Sequence, residues 1–375
     1  DWSKKTAEER EELFTHHLEG DRKQGVRLEQ APAMRVRCLL LGPSHWRLLW
    51  TFHQSLLDAP SSGLVLTRVF EVYEALKSGQ PVPARTVPSY REHLEWLSNE
   101  DHDRGRAFFS TALAGFTEPT PLPFELRNRS LQPTIAGRVK ASLSAEQTEQ
   151  LRAFAKERGV SLKAIAEFCW GLLLSRHCGE LDVVFGTTWS GRESARLKGE
   201  PMVGFTTNTT PLRLTLTRGE RVHEALVRMH SQLSTVREFM HTPLAQIHSN
   251  SSVPASQHLF NSVVATDHGT VARQLERKVP AVLSHSVRQR SLSGIPLLLS
   301  AHFEEDRMWV ELAHADGTLT REQATRLLEQ YLRLVMNAVE NPEAEAATLR
   351  MLDEEIFGKL VTEQTERELV SGAPS

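Results

Sequence analysis

Cysteine is scarce in this chain: Cys38, Cys169 and Cys178 are the only three in 375 residues, an odd number with no CxxC pair. That excludes a disulfide scaffold and a zinc ribbon, and makes a reducing, cytoplasmic setting the expectation. All three lie in apolar stretches, and Cys169 and Cys178 read as core thiols. No apolar run approaches the roughly 18 residues that a membrane helix needs, and no basic-then-apolar leader opens the chain. Net charge is missing too. With 44 basic against 47 acidic residues the balance is −3, which supplies no long-range field for nucleic acid or an anionic membrane. GxSxG, GxGxxG and P-loop patterns are absent. His223, His230, His241 and His248 recur without the close spacing of ligands, so no metal site is expected. The chain opens on Asp1 rather than Met, and is expected to be an excised piece of something longer.

What is present is bulk. A chain of this length, 40% hydrophobic and 24% charged, is enough for two domains or one large two-lobed unit. "SKKTAEEREELFTHHLEGDR" predicts an amphipathic helix with Thr6 and Glu9 as a capping box, Leu13, Phe14, His17 and Leu18 on one face, and Gly20 as its stop. "MRVRCLLLGPSHWRLLWTF" predicts two strands around the turn Gly42–Pro43–Ser44. "GLVLTRVFEVYEALKSG" is helical and ends near Gly79, and "YREHLEWLSNEDHDRGRAFFSTAL" returns to helix after a proline-rich connector.

Pro119, Pro121 and Pro123 break the pattern, and the join between lobes is expected at Glu118–Arg129. Beyond it come two helices, "SAEQTEQLRAFAKERG" and "SLKAIAEFCWGLLLSRHCG", and the buried strand "LDVVFGTTWSGR". Strand "PLRLTLT", helix "VHEALVRMHSQLSTVREFM", two strand-rich segments and the closing helix "TREQATRLLEQYLRLVMNAVENP" complete a mixed α/β reading. Residues 1–125 are expected to be an N-terminal lobe and 126–375 a C-terminal one.

Two stretches with histidine ahead of aspartate stand out. In "THHLEGDR", His16, His17 and Asp21 sit in a charged helix, where His17 and Asp21 are one turn apart and are expected to pair on the surface. In "TFHQSLLDAP", His53 and Gln54 end a strand and Asp58 lies on the turn into the next helix, the setting in which a rigid element presents a side chain for chemistry.

Here the sequence resembles the condensation domains of nonribosomal peptide synthetases, whose signature is two histidines, three variable residues, aspartate and glycine. His53 matches the first histidine and Asp58 the aspartate; Gln54 replaces the second histidine and Ala59 the glycine. "YREHLEWL", "VVFGTTWSGR", "MVGFTTNTTPLR", "MHTPLAQI" and "HLFNSVV" are similar to later motifs of the family, in the same order. On this resemblance, the family's opening portion is expected upstream of Asp1.

The resemblance implies an α/β fold of two chloramphenicol-acetyltransferase-like lobes forming a V-shaped pseudo-dimer, with a tunnel between them. It implies two partner carrier proteins whose phosphopantetheine arms enter that tunnel, neighbouring megasynthase domains, and no cofactor bound directly. His53, Gln54 and Asp58 become the implied catalytic set, and Ala59, Gly204, Asn208 and Asn261 the implied tunnel and substrate residues. Pro296 stands where the family often has aspartate. Asp58 is expected to act as a structural brace, with Arg192 the candidate partner and a residue of that opening portion the alternative.

An amide cannot take up a proton at neutral pH, so Gln54 lacks the general-base contribution of about 10²–10⁴-fold. Two functions stay open: amide-forming condensation with impaired catalysis, and a non-catalytic module that docks carriers or recruits a partner enzyme. A stand-alone coenzyme A acyltransferase needs histidine where Gln54 stands, and ranks third.

Overall fold

The structure is a computed structural model that describes residues 1–124, 135–193, 201–267, 294–304, 306–315 and 317–352. Contacts group the chain into two compact units. The first contains Asp1–Trp96 and Arg192–Thr207 with Val271–His285; the second contains Leu97–Gly191, Asn208–Thr270 and Ser286–Ser375. The expected join at Glu118–Arg129 runs into residues 125–134, which lie outside the described residues.

The first unit opens with α1 (Ala7–Gln24) and the antiparallel pair β1 (Met34–Gly42) and β2 (His45–Phe52). Thr6 and Glu9 exchange the two bonds of a capping box, at 2.8 and 3.2 Å. Gly20 does not stop α1. A helical glycine costs only about 1 kcal/mol, and the turn beyond it brings in Asp21, which the hairpin holds firmly. Asp21 is buried, and its carboxylate takes Arg35 at 3.0 Å, Arg37 at 3.1 Å and the Thr51 hydroxyl at 2.6 Å. The expected surface pair with His17 is therefore replaced by a buried anchor between helix and hairpin. His17 instead sets its ring edge-on to Trp2, while His16 is exposed.

Alternation along β1 puts Arg35 and Arg37 on the face toward Asp21 and turns Met34, Val36 and Cys38 outward. Cys38 is exposed, a correction to its reading as an apolar-set thiol. The next helix, α2 (Ala59–Lys77), starts four residues before Gly63, because Asp58 caps it and Pro60 fits its first turn. The segment returning to helix splits into α3 (Tyr90–Ser98) and α4 (His102–Ala112), the second capped by Asp101.

The second unit is built on a six-stranded sheet. Its strands are β3 (Ile135–Ser142), β4 (Asp182–Ser190), β5 (Thr207–Thr215), β6 (Ser262–Asp267), β7 (Leu297–Phe303) and β8 (Met308–Ala315), in the spatial order β3-β8-β7-β6-β4-β5. β6 runs parallel to β4 and β7; β8 is antiparallel to β7 and β3. Helices α5 (Ala145–Arg158), α6 (Leu162–Cys178), α7 (Val222–Glu238), the short α8 (Leu244–Ser249) and α9 (Arg321–Glu340) accompany it.

Helix α6 is buried on all sides from Ala164 to Ser175, which makes it the centre of the core. It sits so close to the sheet that a Cβ at Gly171 would meet Leu214 at 2.6 Å. Cys169 is fully buried there and its thiol is pushed far up by burial. Cys178 is half-buried at the end of the same helix.

One ion pair is enclosed in this core. Lys163 Nζ gives hydrogen bonds to Glu167 Oε1 at 2.9 Å, Thr187 Oγ1 at 2.8 Å, the Thr188 carbonyl at 3.1 Å and Thr266 Oγ1 at 3.3 Å, and lies over the Trp189 ring. Glu167 is fully buried, its Oε1 also takes the Thr187 hydroxyl, and its Oε2 has no hydrogen-bond partner among the described residues. Burial pushes its carboxyl up, against the pull of Lys163 and Thr187.

Candidate functional site

The hairpin delivers the candidate residues of the first unit. The His53 amide donates to the Ala33 carbonyl at 3.1 Å, one residue past β2, and the His53 carbonyl accepts from the Leu56 amide at 3.0 Å. That tight turn leaves His53 half-buried and Gln54 exposed at its corner. The turn closes a second time through the ring, because the Ser55 amide and hydroxyl approach His53 Nδ1 at 3.1 and 2.8 Å. Ala59 is exposed in the first turn of α2.

Asp58 is buried, with 5% of its surface exposed. Its Oδ1 accepts from the Ser61 amide at 3.0 Å, the bond that caps α2. Its Oδ2 accepts from Arg192 Nη1 at 2.6 Å, the Thr206 amide at 3.0 Å, the Thr206 hydroxyl at 2.9 Å and the Thr207 hydroxyl at 3.3 Å. Burial alone would raise this carboxyl. The hydrogen bond and charge of Arg192, with the Thr206 and Ser61 amides, outweigh burial and hold it below the ordinary aspartate value. Asp58 is thus a bound anion at neutral pH, with Oδ2 surrounded by donors and Oδ1 holding the helix cap.

Arg192 is engaged through both of its terminal nitrogens. Its Nη1 also reaches Thr206 Oγ1 at 2.6 Å, and its Nη2 donates to Ser61 Oγ at 2.7 Å and to the Met202 carbonyl at 2.9 Å. Ser61 closes the circuit: its hydroxyl donates to the Gly204 carbonyl at 2.6 Å and accepts from the Gly204 amide at 2.9 Å. Gly204 is glycine for a steric reason, since a Cβ there would stand 2.2 Å from the Tyr90 ring, whose hydroxyl bonds the Phe205 carbonyl at 2.8 Å. The structure therefore gathers Asp58, Arg192 and Gly204 into one cage. Ser61, Thr206 and Tyr90, to which the sequence assigned no role of their own, complete it. Tyr90 and Thr206 lie in the family-like stretches "YREHLEWL" and "MVGFTTNTTPLR", and Ser61 is the third residue after an aspartate that caps a helix.

Asn208 and Asn261 lie in the second unit. Asn208 Nδ2 donates to the Met240 and Thr242 carbonyls at 2.7 and 2.9 Å, fixing β5 to the turn after α7. Asn261 is buried and donates to the Thr120 carbonyl at 3.0 Å. Pro296 is buried at the start of β7, and its carbonyl accepts from the Ala315 amide. No cluster of side chains suited to a metal ion occurs among the described residues, and none of their helices is long and apolar enough to cross a membrane.

A mixed α/β unit around a six-stranded sheet, together with a hairpin whose end carries His53, Gln54 and a caged Asp58, defines the class. The chain belongs to the condensation-domain family of nonribosomal peptide synthetases, matching the family description "Condensation domain" over residues 1–361. A linear gramicidin synthase polypeptide of Brevibacillus parabrevis is 31% identical over 376 residues, which is 96% of this chain and 7% of that protein. The chain thus spans a small part of the relatives it matches. The fold resembles that of a four-domain nonribosomal peptide synthetase, with a TM-score of 0.77 at 18% identity over 96% of this chain and 28% of the other. It also resembles the X-domain in the complex of the X-domain and OxyB from teicoplanin biosynthesis, with a TM-score of 0.70 at 19% identity over 86% and 73% of the two chains.

Proposed function

We propose that this chain works as a condensation domain that joins a carrier-bound acyl thioester to a carrier-bound amine, through His53, Gln54 and the caged Asp58, with catalysis limited to positioning. The observation that carries this reading is the intact cage beside an altered motif. Asp58 keeps every bond that orders the turn and the start of α2, while Gln54 at the corner offers an amide oxygen and an amide N–H₂ but no base.

The chemistry tolerates that loss for one class of acceptor. The amine nitrogen attacks the thioester carbonyl carbon, the C–S bond breaks, and the proton shed by nitrogen passes through water to the departing thiolate. An α-amino group with a pKa near about 8 is partly free amine at neutral pH, so holding it close to the thioester supplies much of the rate. A hydroxyl has no such fraction and needs a base. Amides, rather than esters, are the products this site can form. The two-lobed architecture, with residues 1–125 and 126–375 as the lobes and Ala59, Gly204, Asn208 and Asn261 along the substrate path, is part of the same proposal.

The second reading, a module that binds carriers or a partner enzyme without catalysis, is favoured by the two replacements Gln54 and Ala59 standing together. The same fold also occurs in the complex of the X-domain and OxyB. One experiment separates the two. With matched donor and acceptor carriers loaded, Gln54→His is expected to raise amide formation, with a larger gain for a hydroxyl acceptor than for an amine. No product from Gln54→His, although both carriers bind, assigns the chain to the docking reading. Rapid ester formation by the unaltered chain overturns the account of Gln54.

A further inference from the structure

Gln54 leaves His53 as the one imidazole of the motif, and the obvious substitute base. The turn geometry argues against that substitution. A backbone N–H can only donate, and the Ser55 amide points at His53 Nδ1 from 3.1 Å. An Nδ1 that carried the proton would set two donors against each other at that distance. Nδ1 is therefore the acceptor, and the Ser55 hydroxyl, 2.8 Å away, adds a second donor to it. In a neutral imidazole the proton then resides on Nε2.

The geometry points to Ser55 as the residue that fixes His53 in its Nε2–H form, so that the ring's only basic lone pair is turned into its own loop. His53 is then a positioning residue: what its outer edge presents is a hydrogen-bond donor, suited to a carbonyl oxygen and unsuited to removing a proton from an amine. The loop has reasons of its own to keep this arrangement. The His53 carbonyl accepts from Leu56 and the His53 amide is tied to Ala33, so the ring nitrogen and the backbone close the same four-residue turn twice. Reversing the tautomer would leave the Ser55 amide facing an N–H, a loss that a small turn has few ways to repair.

The consequence deepens the condensation reading, since it removes proton abstraction from both positions of the motif. The tautomer itself can be tested without any reaction. Full-length chain labelled with ¹⁵N-histidine is examined by long-range ¹H–¹⁵N correlation at neutral pH, with His53 assigned through its own backbone and checked by the loss of its peaks in His53→Gln. The expected pattern is a protonated, pyrrole-type Nε2 and a pyridine-type Nδ1. It should persist in Gln54→His and in Ser55→Ala, which keeps the backbone N–H. The reverse pattern, or an averaged pattern of two exchanging tautomers, overturns the inference. Because this readout involves no carriers, it fails or stands separately from the amide-forming reading.

Discussion

Each unit of the molecule buries a carboxylate against a cation, and the two environments differ in how many donors they bring. In the first unit both oxygens of Asp58 are occupied, by Arg192 and by the amides and hydroxyls of Ser61, Thr206 and Thr207, and its carboxyl is held low. In the second unit Glu167 shares Oε1 between Lys163 and Thr187, its Oε2 has no partner among the described residues, and burial pushes its carboxyl up. An ion pair alone does not decide the charge state of a buried acid. The count of hydrogen-bond donors around the second oxygen does, because it sets how much of the lost hydration is replaced. The Asp58 cage is built to keep an anion, whereas the Glu167 site tolerates one.

Removing each carboxylate puts this contrast to its hardest test. Asp58→Ala strands Arg192 in a buried site and uncaps α2, and is expected to lower stability by about 3–5 kcal/mol in chemical denaturation. An Asp58→Ala chain as stable as the parent would break the comparison outright. Ser61→Ala comes next: it leaves the Gly204 amide and one Arg192 donor unmatched, for an expected loss of about 1–3 kcal/mol by the same measurement. Glu167→Gln is expected to change stability by only about 1 kcal/mol, since Lys163 keeps Thr187, Thr188 and Thr266 as acceptors and no unmatched anionic oxygen remains.

The pH dependence sharpens the same contrast, with smaller effects of opposite sign. Asp58 has a folded pKa below its ordinary 3.8, so its contribution is fully present above that value and is lost as pH falls through the folded pKa. Glu167 has a folded pKa above its ordinary 4.5, so the native state holds the extra proton and stability declines as pH rises from 4.5 through the folded value. Denaturation of Asp58→Asn and Glu167→Gln against the parent across the acid range should therefore give difference curves of opposite slope. Equal slopes would show that the two carboxylates are alike after all.

Local signals read well from the sequence where a few neighbouring residues decide the outcome. The Thr6–Glu9 capping box, the Gly42–Ser44 turn and the apolar-rich helix α6 are of this kind. Gly20 misled because its propensity is a small term beside the burial of Asp21 one residue on, and that burial depends on Arg35, Arg37 and Thr51 of a hairpin with no helical spacing to announce it. Cys38 misled for a similar reason. Three leucines follow it, but strand alternation places it on the side opposite the arginines. At the site, the motif made Asp58 legible, whereas Thr206 and Tyr90 fall in family-like stretches about 148 and 32 residues away in the chain, and no local pattern announces that they meet it.

The grouping of Arg192–Thr207 with the first unit, while the chain on either side of it belongs to the second, bears on how this protein can be cut and recombined. A fragment ending at Trp96 would carry Asp58 without Arg192 or Thr206, an enclosed carboxylate stripped of its cation. A graft that exchanges only residues after Trp96 would import a foreign partner for that carboxylate. Swapped pieces of this chain must carry the helix cap and the arginine together, so the workable exchange unit is the pair of segments rather than any stretch bounded by a single break.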